Sequence, residues 1–329
     1  MIRINFYLTL FLLFSLVSCG TSNIYTSNAV SSTVHTDVLV ETSDISYDGK
    51  YTLIADDKQV CLWNNITNKL QLTCLTGKAK EYIEIVKIAK NNLFFITSNR
   101  VSVRLYSIAK GNLMGEWSLQ DHIINDISLS KNSDVILLGF RSGKASVINP
   151  FTKVMATYQK HKLDINSVSI SDDGLYAFTG SSDKTAIYWN TATGESSYTF
   201  EHMSRVNHVS LSADQSIGFS IDAIKDRNVW NLKTGELISE LDSHLRFMVF
   251  NDTVISADNT LLLSGSPKQT IKLWRITDGK LMAQWQAAKI KTRSSVLSIA
   301  FKDNTVLSST SDGVLEEWEL PSQSFLNQP

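Results

Sequence analysis

Six histidines and three cysteines are the side chains of this sequence best suited to metal or covalent chemistry. His35, His122, His161, His202 and His244 each stand just before an alternating apolar segment, and His208 lies inside one. Scattered in this way, they predict turn and hydrogen-bonding roles rather than a shared metal centre. Adjacent acids occur at Asp56–Asp57, Asp172–Asp173 and Glu316–Glu317. A carboxyl pair performs general acid–base catalysis only if both groups reach one substrate. The first two pairs sit among turn residues, and the third lies in a strand pattern where neighbours point to opposite faces. No GxSxG elbow, GxxxxGK[ST] loop, HExxH or CxxC occurs. The expectation is a protein without catalytic residues, metal or cofactor.

The cysteines read differently. Arg3 precedes a nearly continuous apolar run from Phe6 to Val17, too short to cross a bilayer but of signal-peptide length. The run ends in Leu16-Val17-Ser18-Cys19-Gly20, which resembles the lipobox of bacterial lipoproteins. That resemblance implies a diacylglycerol thioether on Cys19 and cleavage before it. With Gly20 rather than Asp following, it also implies an outer-membrane location facing the periplasm. Residues 1–18 are then a signal peptide. Residues 19–34 are a lipidated cysteine and a flexible tether rich in Ser, Thr and Asn, and 35–329 form the globular part. Cys61 and Cys74 remain. If a hairpin turns at Thr67-Asn68 they face each other within disulfide range, and a shift of one residue would leave two free thiols.

Elements that position these residues follow from a repeat. Trp63, Tyr106, Trp189, Trp230, Trp274 and Trp318 recur in apolar contexts at steps of 41 to 44 residues, with one double step whose missing member falls near Val147-Ile148. Seven such units fill the chain, and self-similarity at this period is the signature of propeller blades. The fourth unit shows the internal order: Ile165–Ile170, the turn Ser171-Asp-Asp-Gly174, Leu175–Thr179, the turn through Asp183-Lys184, Thr185–Trp189, the turn Asn190–Gly194, then Ser197–Phe200. Period-two alternation between Gly, Asp, Asn and Ser turns predicts four antiparallel strands per unit. The fold expected is all-β, a seven-bladed β-propeller of four-stranded antiparallel blades. Asn28–Thr33 is expected to close blade seven as its outer strand, with Ser324–Asn327 as the alternative.

The repeats resemble WD40 repeats, in which a histidine before strand a, a Ser or Thr on strand b, an Asp in the b–c turn and a strand-c Trp form one network. His161, Thr179, Asp183 and Trp189 match all four positions. His35, Asp57 and Trp63 match in unit one. Unit five has His202, Ser220 and Trp230, with Ile224 at the aspartate position. Unit six has His244, Ser264 and Trp274, with Lys268 there, and unit seven has Ser308, Asp312 and Trp318.

The resemblance implies that d–a loops and b–c turns share one face where partners dock. On it fall Arg100, Arg141, Lys162, Arg205, Lys225, Arg246, Lys268, Lys291 and Arg293, while Glu195, Glu236 and Asp278 fall near the opposite rim. A net charge of −1 argues against nucleic acid as partner. The functional expectation is a membrane-anchored, non-catalytic scaffold, a monomer or part of a hetero-complex, that binds envelope proteins. Two alternatives are a binder of an anionic envelope polymer (lipopolysaccharide or peptidoglycan) and a propeller enzyme.

Overall fold

In the computed structural model, residues 24–76, 82–119, 121–242, 247–291 and 294–328 are described. They form seven antiparallel sheets arranged as the blades of a β-propeller. Strand a of each blade lines the centre and strand d the rim. The turn chemistry sets the strand limits: in blade four, the Ser171 hydroxyl and Asp173 carboxylate cap the a–b turn, and the Asn190 side chain caps the c–d turn. Apolar residues on the two faces of each sheet pack against the neighbouring blades. The core is therefore a series of inter-blade layers, such as Ile165, Val168, Ala177 and Trp189 against Leu137 and Ala145.

Blade seven is closed by the chain's other end. Ser31–Val34 pairs antiparallel with strand c, Val314–Glu319, Ser31 facing Glu317 and Val34 facing Val314. Free sheet edges disappear only when a ring is completed in this way. The pairing strand lies a little later than Asn28–Thr33. The alternative closing segment is not a strand: Gln323–Leu326 is a short helix whose first turn is capped by Ser322.

Much of the expected tether also belongs to the ring. The Tyr25 amide donates to the Met282 carbonyl, the Tyr25 carbonyl accepts from Gln284, and Ser27 accepts from the Trp285 indole. Tyr25 additionally packs edge-on against Trp285 and Phe325. A polar composition had suggested a free linker. One aromatic residue and an available strand edge are enough to bind this segment down from Tyr25 onward.

In blade one the outermost strand is broken. Trp63 pairs with Leu70, but Val60 pairs with Leu75, so two extra residues are accommodated between them. The hairpin turns at Asn68, whose φ of 52° is left-handed. Cys61 and Cys74 are joined by a disulfide at the shifted register, with Cα atoms 4.4 Å apart.

Candidate functional site: the loop face and the channel

In blades three, four, five and seven a backbone hydrogen bond ties the b–c turn to the d–a loop leading into its own blade. Arg141 donates to Ile123, Ser182 to Asp164, Ala223 to Arg205, and Ser311 to Ser295. Gly143 in blade three, at φ 75°, lies so close to the next d–a loop that a Cβ would sit 2.2 Å from the His161 carbonyl oxygen. These contacts make one continuous loop face, held rigidly by the blades beneath.

Each of the seven d–a connections presents an exposed apolar side chain on this face. In order these are Val38 with Leu39, Tyr82, Ile123, Leu163, Met203, Phe247 with Val249, and Ile290. Phe247 is 70% exposed and Met203 62%. Phe247 is held at a φ of 58°, with its amide bonded to the carbonyl of Ile224, which is also exposed. Recurring on every d–a connection, these side chains offer a partner apolar contact points around the ring.

Charge on the face is sectored rather than uniform. Arg141, Lys162, Arg205, Lys225 and Lys268 are exposed on blades three to six. Arg100 is instead paired with Glu84, Lys291 is only partly exposed, and Asp37, Glu41 and Asp57 make the blade-one sector acidic. Arg246 and Arg293, like Cys19 and His244, lie outside the described residues. On the opposite face Lys153 and Lys233 accompany Glu195, Glu236 and Asp278, so that rim is mixed. A basic ring facing an acidic rim is therefore replaced by one basic sector.

The expected histidine networks form in part. In blade four, His161 Nδ1 meets Asp183 at 3.1 Å and Thr185 Oγ1 at 3.0 Å, and Nε2 meets Thr179 Oγ1 at 2.8 Å. Burial raises the Asp183 pKa, but bonds from His161, Thr185 and the Lys162 amide outweigh it and hold the carboxyl well below the usual range. The final link is missing, because the buried Trp189 Nε1 has no partner.

In blade five the serine and indole links form, but His202 Nδ1 has no hydrogen-bond partner. His202 Nε2 meets Ser220 at 2.9 Å, and the Trp230 indole donates to the same hydroxyl at 2.8 Å. The aspartate at the Ile224 position is replaced by Asp226, which stands where blade four has Thr185, the two hairpins being equal in length (Gly180 facing Ala186, Ile221 facing Arg227). Asp226 accepts the Met203 amide and stands 3.8 Å from His202 Nδ1. Trp274–Ser264 and Trp318–Ser308 repeat the indole–hydroxyl link at 3.0 Å. Asp312 accepts the Ile290 and Lys291 amides, as Asp183 accepts that of Lys162.

Blade one departs most. Asp57 is exposed and Asp56 caps the turn through the Lys58 and Gln59 amides. No carboxylate reaches His35, which stacks on Trp63 at 4.6 Å with both nitrogens unpartnered; burial lowers its pKa to about 4.

A second polar feature lies in the central channel, a cavity of about 430 Å³ lined by strand a of all seven blades. Strand a carries Asp44, Lys87, Asp126, Ser167, His208, Asp252 and Ser298 in blade order. Asp126, Ser167, His208 and Asp252 stand four residues before their a–b turns, and Asp44 and Lys87 two residues before theirs. Five of these fasten their blade to the next. Asp44 accepts the Ile88 amide at 2.6 Å, Asp126 that of Val168, Ser167 that of Val209, Asp252 that of Ile299 and Ser298 that of Ile45. His208 bridges to Thr253 at 2.9 Å.

Lys87 stands 3.8 Å from Asp44, and the side chain retains 34% of its exposure to the lumen. Burial raises Asp44 to about 7 and also raises Asp126 and Asp252, against the attraction of Lys87. Burial, with Lys87 adding to it, lowers His208 to about 3. The hydrogen bonds of this ring link neighbouring blades. Single polar residues inside short apolar segments carry no local pattern, and their distance from the a–b turn differs between blades one and two and blades three to six. Glu316 and Glu317 do face opposite ways, Glu316 to the Ala288 amide and Glu317 to Lys302 and Thr305.

Comparison with known proteins fits this geometry. Residues 152–190 and 235–275 match the WD40 family (WD domain, G-beta repeat). The matched stretches of WD40 type end in strand c of blades four and six, each containing its buried tryptophan. Among solved structures, a chain of the "Crystal Structure of Mitotic Checkpoint Complex" is similar in fold, with a TM-score of 0.75 at 16% identity over 98% of this chain and 99% of that one. No curated protein matches in sequence.

Proposed function

We propose that this protein is a non-catalytic WD40-type platform, anchored to a bacterial envelope membrane through a lipid on Cys19, that holds partner proteins on its loop face. The observation that carries the reading is the exposed apolar side chain on every d–a connection, from Leu39 to Ile290, mounted on a rigid ring. WD40 propellers generally serve as protein-interaction scaffolds, and the structural neighbour is a chain of the Mitotic Checkpoint Complex. The lipid anchor rests on the residues around Cys19 alone.

Two experiments test the reading in cells expressing the full chain. Labelled palmitate should enter the protein and be lost in Cys19→Ala. A photo-crosslinking amino acid at Leu163 or Met203 should give discrete protein adducts, whereas the same group at Lys153 on the far face should not. Adducts only from the far face, or none at all, would remove the platform reading. Unlabelled wild-type protein would remove the anchor.

A further inference from the structure

We propose that the occupant of the loop face across blades four to six is an acidic protein segment carrying large apolar side chains, and that it docks against Met203 and Phe247. The proposal rests on the platform reading and specifies the chemistry of its partner.

Asp164, Glu201 and Asp242 stay at least partly exposed on the d–a connections of these blades, but the b–c turn carboxylates are spent on backbone and histidine. Asp183 turns inward to His161 and the Lys162 amide, and Asp226 accepts the Met203 amide. Asp222 accepts the amides of Ser204, Ile224, Lys225 and Asp226. Their negative charge is thereby used to hold backbone in place, while the cations of the same loops point outward. Lys162, Arg205, Lys225 and Lys268 are exposed, and none has an ion-pair partner among the described residues. A surface of unpaired cations around desolvatable apolar tips favours a partner with acids flanking apolar anchors. The charges steer encounter and exclude basic competitors, and the apolar contacts supply affinity.

An anionic membrane has the same two chemistries, and the path of the chain argues against it. Strand d of blade six, Leu281–Gln286, runs from the far face toward the loop face, and Tyr25 lies parallel to it at Ala283. The chain therefore comes to blade six from the far-face side. Only five peptide steps separate Ile24 from Cys19, a reach of at most about 17 Å when fully extended. A lipid on Cys19 would keep the bilayer within that reach of Ile24 on the rim of blade six, away from the loops of blades four and five.

The test uses the full chain in detergent with two probes. One is a phage-displayed library of random dodecapeptides; the other is vesicles of phosphatidylethanolamine and phosphatidylglycerol. Selection should enrich peptides combining Asp or Glu with aromatic or large aliphatic residues. A synthetic peptide of that consensus should bind at least tenfold more weakly to Phe247→Ser and to the Arg205→Glu/Lys225→Glu double variant. These three positions are exposed, so thermal melting should stay unchanged, and Lys153→Glu should bind normally. Absence of enrichment, a basic consensus, or equal binding by the variants overturns the proposal. Vesicle binding lost in the double variant, without peptide binding, assigns the sector to lipid instead and also overturns it. If in-cell crosslinks still form at Leu163 while the peptide result is negative, the platform stands and only this choice of partner falls.

Discussion

Ser31 lies opposite Glu317 on the outer edge of blade seven, 286 residues away in sequence, and the serine hydroxyl reaches the glutamate carboxylate. The ring is closed by backbone pairing of this one four-residue strand. At about 1 kcal/mol per hydrogen bond, removing residues 24–34 should lower stability by roughly 3–4 kcal/mol. It should also expose the edge of Val314–Glu319, a template for pairing with a second chain. Chemical denaturation and light scattering of the deletion variant measure both effects; a stable monomer would show that closure matters little.

Trp189 and Trp274 form a matched pair. Both are fully buried strand-c indoles with a lysine over the ring, Lys160 and Lys272 respectively. They differ in one link: Trp274 donates to Ser264, whereas Trp189 has no partner. Replacement by Phe removes the N–H in each. Trp274→Phe should cost about 1 kcal/mol more than Trp189→Phe, since only the former loses a hydrogen bond. Equal losses in urea titrations would contradict the account.

The blades were legible because turns and alternation are local. Asp173 and Asn190 cap their own hairpins, and the tryptophan period follows from one strand per blade facing the same layer. Closure by Ser31–Val34 was legible only as a possibility, because an exposed strand of Ser, Ser, Thr and Val carries little pattern. Asp226 stands two residues past the Ile224 position, where blade four has Thr185, so a search for an aspartate at the repeat position alone passes over it. The channel ring was illegible for a different reason. Asp44 and Lys87 meet across two blades, and single polar residues at differing distances from their turns become a ring only when seven strands converge.

The Cys61–Cys74 bond closes a loop with a sequence separation of 13 where the edge strand of blade one changes register. Loop-closure entropy for a ring of this size is worth about 3 kcal/mol. Protein made in an oxidising compartment should therefore melt at lower temperature after reduction, and Cys61→Ala/Cys74→Ala should melt like the reduced form. Intact mass without reductant should be lower than the reduced mass by two hydrogens. Labelling of both cysteines in denaturant without reductant would refute the bond.

The channel ring makes a pH prediction whose sign is set by Asp44. Burial raises the folded carboxyl to about 7, while an unfolded aspartate titrates near 3.9. Below the unfolded value both states hold the proton. As pH rises toward 7, the unfolded chain releases its proton first, so the contribution of Asp44 to stability is progressively lost. Asp126 and Asp252, also raised, act in the same direction. His35 and His208, lowered to about 4 and 3, act oppositely, adding stability as pH rises toward 6.5. Asp44→Asn keeps an acceptor for the Ile88 amide but cannot ionise. Relative to wild type, this variant should gain on the order of 2 kcal/mol between pH 4 and pH 8, with lumen water screening part of the full shift. Denaturation curves of the two proteins at both pH values measure the difference directly. A gap that stays constant across that range would mean that Asp44 is not held protonated by the ring.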